Sequence, residues 1–363
     1  MEKKIKCKKC GEITTVSGKP GETINVACQS CYNIEKVAFE NIESSTSNKS
    51  IVQIKNLSKK YKDILALNNV SFDIKKGEIF GYIGPNAAGK TTTIKILVGL
   101  LNKTSGQVFI NGYEMPDQKE QAHKFIGYLP QQVTFQQWRT LNHTLITFAK
   151  LSGMQKNRIQ PRIDELLEIM KIIKLKNKKI NKLSGGTIQK VGIIQAILHN
   201  PSLLILDEPL DGLDPEGRYQ IKQIFKELSK NGTTIFFSSH ILSDVQDVAT
   251  KICIIDWGKI LKIGALDELK SEFIKEKKIE IVLSKKSDKF KDINKLRGIQ
   301  NIIEESDKKF LININKNVSY DEVIHNIIKT LLKNECHIRS ITPVTPTLDE
   351  VYQYYLGKGG NKQ

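Results

Sequence analysis

The chain has 363 residues and a mass of 41.1 kDa, more than one domain of roughly 100–200 residues accounts for, so two or three folded units are expected. Hydrophobic residues make up 39% and charged residues 26%, which excludes a disordered or collagen-like chain; no apolar run approaches the roughly 18 residues of a spanning helix, and the Met1-Glu-Lys-Lys start lacks a leader's apolar stretch, so any membrane role is expected to run through a partner. The net charge of +17 would suit nucleic acid or an anionic surface, but the excess lies mostly in the middle: residues 1–45 carry 7 basic and 6 acidic groups, residues 46–270 carry 32 and 20, and residues 271–363 carry 17 and 13.

Four of the six cysteines lie at the start, as Cys7-x-x-Cys10 and Cys28-x-x-Cys31 with 17 residues between the pairs. That spacing predicts a four-thiolate zinc site, because each Cys-x-x-Cys turn puts two sulfurs on one side of a knuckle and two knuckles close a tetrahedron. A segment of this size with few large apolar side chains cannot hold itself together by burial, so a structural metal is its expected source of order. A disulfide pairing and a rubredoxin-like iron site are the alternatives. Residues 1–45 are therefore expected to form a zinc ribbon, followed by a polar linker at 46–50. Cys253 and Cys336 read as small buried apolar residues.

From residue 51 to 271 strand-like and helix-like stretches alternate, which predicts an α/β domain opening with an antiparallel layer. Strands are expected at Ile51 to Leu57, Val70 to Ile74, Ile79 to Ile83, Val108 to Ile110, Leu203 to Asp207, Thr233 to Ser238 and Ile252 to Asp256. Helices are expected at Gly89 to Leu100 and Pro215 to Ser229, with a helical subdomain at about 135–180 (Leu141 to Leu151, Ile163 to Ile173). Within it Lys171, Lys174, Lys176, Lys178, Lys179 and Lys182 run with no acid among them, either a solvated face or a binding patch. Residues 272–356 read as a small α/β module: strands at Ile279 to Leu283, Phe310 to Ile314 and His337 to Ile341, helices at Tyr320 to Leu332 and Leu348 to Leu356. The tail 357–363 is expected to fray.

Gly84-Pro85-Asn86-Ala87-Ala88-Gly89-Lys90-Thr91-Thr92 follows a predicted strand and opens a helix, the context that gives P-loop spacing a mechanism. Its backbone N–H groups would ring triphosphate oxygens, Lys90 would neutralise them and the Thr91 hydroxyl would hold Mg²⁺. Leu203-Leu-Ile-Leu-Asp207-Glu208 is an apolar strand with acids only at its end, beside the place where a metal would offset the charge; Asp207 suits the Mg²⁺ shell and Glu208 the polarising of an attacking water. Leu183-Ser184-Gly185-Gly186 precedes a helical run, with Ser184 as its N-cap and exposed N–H groups as a second anion site.

This order of motifs over residues 51–270 resembles the ATP-binding subunits of ABC transporters. The resemblance implies a P-loop ABC ATPase fold, ATP and Mg²⁺ as ligands, and a head-to-tail pair of cassettes in which the Ser184-Gly185-Gly186 signature of one covers nucleotide on the P-loop of the other, the second subunit being a copy of this chain or a paralogue. It also implies that Tyr61 stacks on adenine, that Gln131 reaches Mg²⁺ and water and relays to a membrane partner, that Asp214 crosses the dimer interface and that His240 contacts the γ-phosphate; a surface tyrosine and a structural histidine are the bland readings of Tyr61 and His240. Ala87 stands where the family usually has glycine, Thr187 where glutamine is frequent and Lys190 where arginine is frequent, and none of these removes a phosphate ligand.

The three threonines after Lys90, Leu210-Asp-Gly-Leu-Asp-Pro215 and Thr345-Pro-Thr-Leu-Asp-Glu-Val-Tyr352 are similar to exporter ATPases for drugs, lipids or polysaccharides. These imply a peripheral subunit on the cytoplasmic face of the membrane, docked on an integral permease. The rival is a non-transport ABC ATPase acting on nucleic acid or ribosomes through its ribbon. Against it stand a single ATPase domain, no long coiled-coil insertion, little basic excess in the ribbon and few aromatics beside the knuckles. A GTPase lacks its guanine-reading motif.

Overall fold

The computed structural model describes residues 2–6, 10, 13–17, 23–27, 30–31, 34–38, 50–273, 277–315, 318–344 and 348–360. Two antiparallel hairpins open the chain: β1 (Glu2–Lys6) pairs with β2 (Ile13–Ser17), and β3 (Thr23–Ala27) with β4 (Ile34–Ala38). Cys10 falls in the connection of the first hairpin and Cys31 in that of the second. Cys10 is exposed and Cys31 half-buried, while Cys7, Cys28 and residues 46–49 of the expected linker lie outside the described residues.

Two long strands follow, β5 (Ser50–Tyr61) and β6 (Ile64–Lys75), and the second half of β6 alternates buried and exposed positions, the pattern of a sheet with one wet face. Next in the chain come β7 (Ile79–Ile83), α1 (Lys90–Leu97), β8 (Ser105–Ile110) and β9 (Tyr113–Glu114), and the antiparallel layer has the order β6-β5-β8-β9. The chain continues through α2 (Lys119–His123), β10 (Ile126–Leu129), α3 (Leu141–Leu151), α4 (Lys156–Ile169), α5 (Gly185–Ile197), β11 (Leu203–Leu206), α6 (Pro215–Lys230), β12 (Thr234–Ser239), α7 (Leu242–Gln246), β13 (Lys251–Asp256), β14 (Lys259–Gly264) and α8 (Leu266–Phe273). The central sheet has the order β10-β11-β12-β7-β13-β14, parallel except for the last strand. Every residue of β7, β11 and β12 is buried, which is why these strands read as unbroken apolar runs rather than alternations. Phe72 of the antiparallel layer stacks on Phe80 at 5.1 Å and on Phe236 at 6.0 Å, locking the two sheets together.

The helical subdomain is built from α3 and α4. Helix α4 starts earlier and stops earlier than the apolar spacing of Ile163 to Ile173 suggests. It ends because Lys171 takes a left-handed φ of 57° and its N–H turns back to Glu168 O, a helix stop without glycine. Helix α5 packs across this subdomain and β10, carrying Val191, Ile193 and Ile194 into the same core as Leu141, Leu145 and Ile163.

Beyond α8 lie β15 (Lys277–Leu283), β16 (Ile299–Ser306), β17 (Lys309–Ile314), α9 (Tyr320–Lys333) and β18 (Ile338–Val344), an antiparallel sheet of order β16-β17-β15-β18. Its own core joins Ile279, Ile281, Ile312 and Ile314 to Val323, Ile327 and Leu331 of α9. The edge strand β16 and the antiparallel β14 escape a reading from sequence, since their faces are half-exposed and give no clear alternation. The final helix, α10 (Leu348–Gly360), does not join this module's core. Its Leu348, Val351 and Tyr352 are buried in the core of the preceding α/β domain with Leu242, Val245, Ile252 and Leu269. Being pinned there, the helix continues through residues 357–360, where the glycine-rich sequence suggests fraying; a helix already nucleated extends at little further cost. Burial, with the Asp256 carboxylate nearby, pushes the Tyr352 phenol up to about 12.

Leu348 is fully buried, and truncation at such a site costs about 2–5 kcal/mol. Leu348→Ala is expected to destabilise the preceding α/β domain by that order in denaturant unfolding followed at the P-loop; a loss confined to the C-terminal sheet would contradict the shared core.

Candidate functional site

The turn from β7 into α1 carries the glycine-rich motif. Gly89 sits at φ 107°, and a Cβ there would lie 2.7 Å from Leu67 Cδ2 and 2.9 Å from Ala66 O, so only glycine brings the turn this close to β6. Gly84 is equally constrained: a Cβ would meet Ile255 O at 2.3 Å. Ala87 takes φ 66°, the left-handed conformation in which the family's glycine is strain-free. Lys90 is buried, and its Nζ donates to Gly84 O at 2.8 Å and Pro85 O at 3.1 Å. A cavity of about 250 Å³ lies over this turn, lined by Pro85, Asn86, Ala87, Gly89, Lys90, Thr91 and Thr92 together with Ala66, Gln131 and Glu208. Gln131, not the adjacent Gln132, lines it. Ala88 instead faces the core and accepts from Gly258 N through its carbonyl.

Strand β11 ends at this cavity, and Asp207 and Glu208 follow it. Ser238 of the neighbouring β12 ties the pair: its Oγ donates to Asp207 Oδ1 at 2.7 Å and accepts from Glu208 N at 2.9 Å. Glu208 is 4% exposed. Its Oε1 lies 3.3 Å from Lys90 Nζ, and its Oε2 lies 3.0 Å from His240 Nδ1 and accepts from His240 N at 3.3 Å. The Glu208 backbone is left-handed at φ 49°, a strain of order 1–3 kcal/mol that persists where neighbours over-determine the site. Asp207 Oδ2 is buried without a hydrogen-bond partner among the described residues. A hard cation would satisfy that orphaned carboxylate oxygen; Thr91 and Gln131 line the cavity and offer neutral oxygens, whereas Asp207 is not itself a lining residue. On β10, burial and the Asp207 carboxylate push the Tyr128 phenol up to about 12, which leaves it neutral.

The other sequence-predicted residues lie elsewhere. Ser184 caps α5, its Oγ accepting from Thr187 N at 3.3 Å and pairing with Thr187 Oγ1 at 2.9 Å; Ser184, Gly185 and Gly186 do not line the cavity of their own chain. Asp214 caps α6 by accepting from Gly217 N at 2.8 Å. Tyr61 stands half-exposed at the end of β5, with Lys59 Nζ 5.0 Å from its ring centroid, and is likewise not a lining residue. Lys190 reaches Gln220 Oε1 and Met170 O. Two contributors are missed by sequence reasoning. Ser238 hides inside a strand, and Gln189 inside the signature helix, where Nε2 donates to Pro209 O at 3.1 Å; Thr187, Lys190 and Gln195 are polar in the same helix, so no local signal singles it out.

A sequence profile described as ABC transporter matches residues 67–211, the span from within β6 to the turn after Glu208. The bacitracin transport ATP-binding protein BcrA of Bacillus licheniformis is 38% identical over 61% of this chain and 72% of its own length. The chain belongs to the ABC transporter family. A second relative of the cassette, the linearmycin resistance ATP-binding protein LnrL of Bacillus subtilis (strain 168), is 28% identical over 85% of this chain and 99% of its own. The dimeric structure of the bacterial ABC transporter cassette MJ0796 superposes with a TM-score of 0.56 at 28% identity, covering 59% of this chain and 98% of that one. The cassette is thus an ATP-binding, ATP-hydrolysing subunit of the ABC type.

Because Ala87 carries a side chain at a left-handed position, Ala87→Gly is expected to stabilise the cassette by about 0.5–1 kcal/mol with ATP hydrolysis retained, whereas β-branched Ala87→Val is expected to destabilise it. Thermal melts of both variants, read beside their turnover, check the opposite signs.

Proposed function

We propose that this cassette works as one of a pair, a homodimer or a pairing with a paralogue, that powers export through a separate integral membrane subunit from the cytoplasmic face. The observation that carries the reading is the cluster of Lys90, Glu208 and His240 beside the P-loop cavity, with the capped signature helix of the same chain lying outside that cavity. A site complete in everything but the signature's donors is one that a second cassette completes. Phosphate oxygens would accept from the backbone N–H groups of residues 84–92 other than Pro85 and from the Lys90 ammonium; Thr91, Gln131 and Asp207 would hold Mg²⁺, which would supply charge neutralisation of the triphosphate. Glu208 takes the proton of the attacking water, and His240, held on its Oε2, stabilises the γ-phosphate. Ser184, Gly185 and Gly186 cover the partner's nucleotide, Tyr61 stacks on adenine and Asp214 stands at the seam.

Export, rather than ATP hydrolysis alone, is supported by the two relatives named for linearmycin resistance and bacitracin transport. A groove of about 730 Å³ between α2, β10, α3 and α5, edged by exposed Leu100 and Leu151, suits an apolar segment of the permease. No helix among the described residues is long and apolar enough to cross a membrane. Glu208→Gln is expected to bind ATP and hold the paired state while hydrolysis falls about 10²–10⁴-fold; near-wild-type turnover would move the base elsewhere.

The four N-terminal cysteines bind one zinc ion with a structural, regulatory or protein-binding part to play. Support comes from the placement of Cys10 and Cys31 in the connections of two successive hairpins. Metal analysis is expected to find one zinc per chain, lost together with protease resistance of residues 1–45 in Cys10→Ser, Cys31→Ser protein; iron, or no metal, would refute the site.

A further inference from the structure

The charge of the chain is concentrated where the cassette's chemistry does not use it. Residues 121–206 hold 13 lysines and arginines against three acids, a net +10 of the total +17. All three acids, Asp164, Glu165 and Glu168, sit on α4. Two of the lysines in the run before the signature are neutralised locally, Lys171 by Glu216 and Lys176 by Asp164. Lys174, Lys178, Lys179 and Lys182 are exposed and make no ion pair among the described residues.

Lys178 and Lys179 lie on a bonded segment, flanked by Lys174 and Lys182 in short 3-10 turns. Residues 176–181 are hydrogen-bonded to the segment leading into α3: Leu141 N donates to Lys178 O, Asn142 N to Lys176 O, Ile180 N to Arg139 O and Asn181 N to Gln137 O. Thr140 and Lys179 form an antiparallel bridge. Ile180 is fully buried, while Lys178 and Lys179 stay exposed on the segment bonded to the one that carries Trp138. Trp138 is 68% exposed, an unusual position for an indole on a wet face. Exposed, unpaired ammonium groups on a segment bonded to the one that carries an exposed tryptophan combine the two side-chain types that concentrate at lipid headgroups: the indole at the boundary, the cations against phosphate. Nucleic acid suits it less, because base stacking uses several aromatics along a groove, and Trp138 is the only large aromatic among the exposed hydrophobic residues of this subdomain.

We propose that the ribbon of Trp138, Lys174, Lys178, Lys179 and Lys182 is a contact surface for anionic phospholipid headgroups, which holds the helical subdomain against the bilayer independently of the permease. It rests on the reading of a membrane-side subunit but is measured without a permease or ATP turnover, so the two fail separately. Loss of vesicle binding leaves the transport reading intact, and absence of an integral partner leaves the lipid surface intact.

The test uses the purified full chain and vesicles of phosphatidylcholine with or without phosphatidylglycerol. Partitioning onto the anionic vesicles alone is expected, weakening as salt screens it. Each lysine neutralised in a Lys174→Gln, Lys178→Gln, Lys179→Gln, Lys182→Gln series is expected to lower the partition coefficient about fivefold, with melting temperature and ATP hydrolysis unchanged. In a Trp257→Phe background, which leaves Trp138 as the only tryptophan, its emission is expected to shift to the blue on binding. Equal partitioning onto neutral vesicles, full binding by the quadruple variant, an unshifted Trp138 emission, or displacement of the vesicles by stoichiometric RNA or DNA would each overturn the proposal.

Discussion

The structure turns on how two carboxylates are kept at the end of a buried strand. Asp207 and Glu208 leave β11 almost without solvent, where an uncompensated charge costs several kcal/mol. Ser238 answers one carboxylate and the strained backbone of the other at once, while Lys90 and His240 close on Glu208 from opposite oxygens. These partners come from the P-loop helix, from β12 and from the turn after it. The neighbouring strands must therefore be in register for the acids to be tolerated, and β11 lies between β10 and β12 with every residue paired. The same constraint explains why Glu208 can hold a left-handed backbone: its N–H has only Ser238 to go to.

Around this centre, the rest of the cassette sets the walls. The aromatic stack of Phe72, Phe80 and Phe236 fixes the antiparallel layer to the sheet, and with it the approach of Ala66 and Leu67 to Gly89. Gln189 extends the ties to the far side, joining the signature helix to the backbone just beyond Glu208. A shift of that helix, whose N-terminus is the exposed signature, would therefore be felt at the carboxylate within one hydrogen bond. On the opposite flank α10 returns from the C-terminal sheet to lie on α7, α8 and β13. Helix α7 follows His240 closely and is itself tied to α6 through Asp244, which pairs with Arg218 and Lys222. The C-terminal module is thus continuous with the packing behind the histidine.

Much of this was legible before any coordinates. The P-loop, the apolar strand ending in two acids and the Ser-Gly-Gly helix start carry their chemistry in local order, because phosphate binding at a helix N-terminus needs only consecutive residues. Strands β7, β11, β12 and β13 of the central sheet were legible for a related reason, since burial on both faces leaves an unbroken apolar run in the text; the four-residue β10 at the sheet's edge was not. Elements with half-wet faces, such as β14 and β16, were not, and neither was the true reach of α4, which ends at a lysine in a left-handed turn rather than at glycine. Whether Gln131 or Gln132 faces the nucleotide also lay beyond the pattern, since adjacent residues in a loop differ only in direction.

The amino-acid sequence by itself determined the family and the nucleotide chemistry, since the motifs that carry them are made of side chains a few positions apart. Tertiary structure alone decided the partners of those side chains: Ser238 beneath both acids, His240 on Glu208, Gln189 on the backbone beyond, and α10 in the ATPase core rather than in the module it follows. Such contacts join segments tens to hundreds of residues apart, and what brings them together is the burial of strands and helices against one another, a collective property that no local spacing encodes.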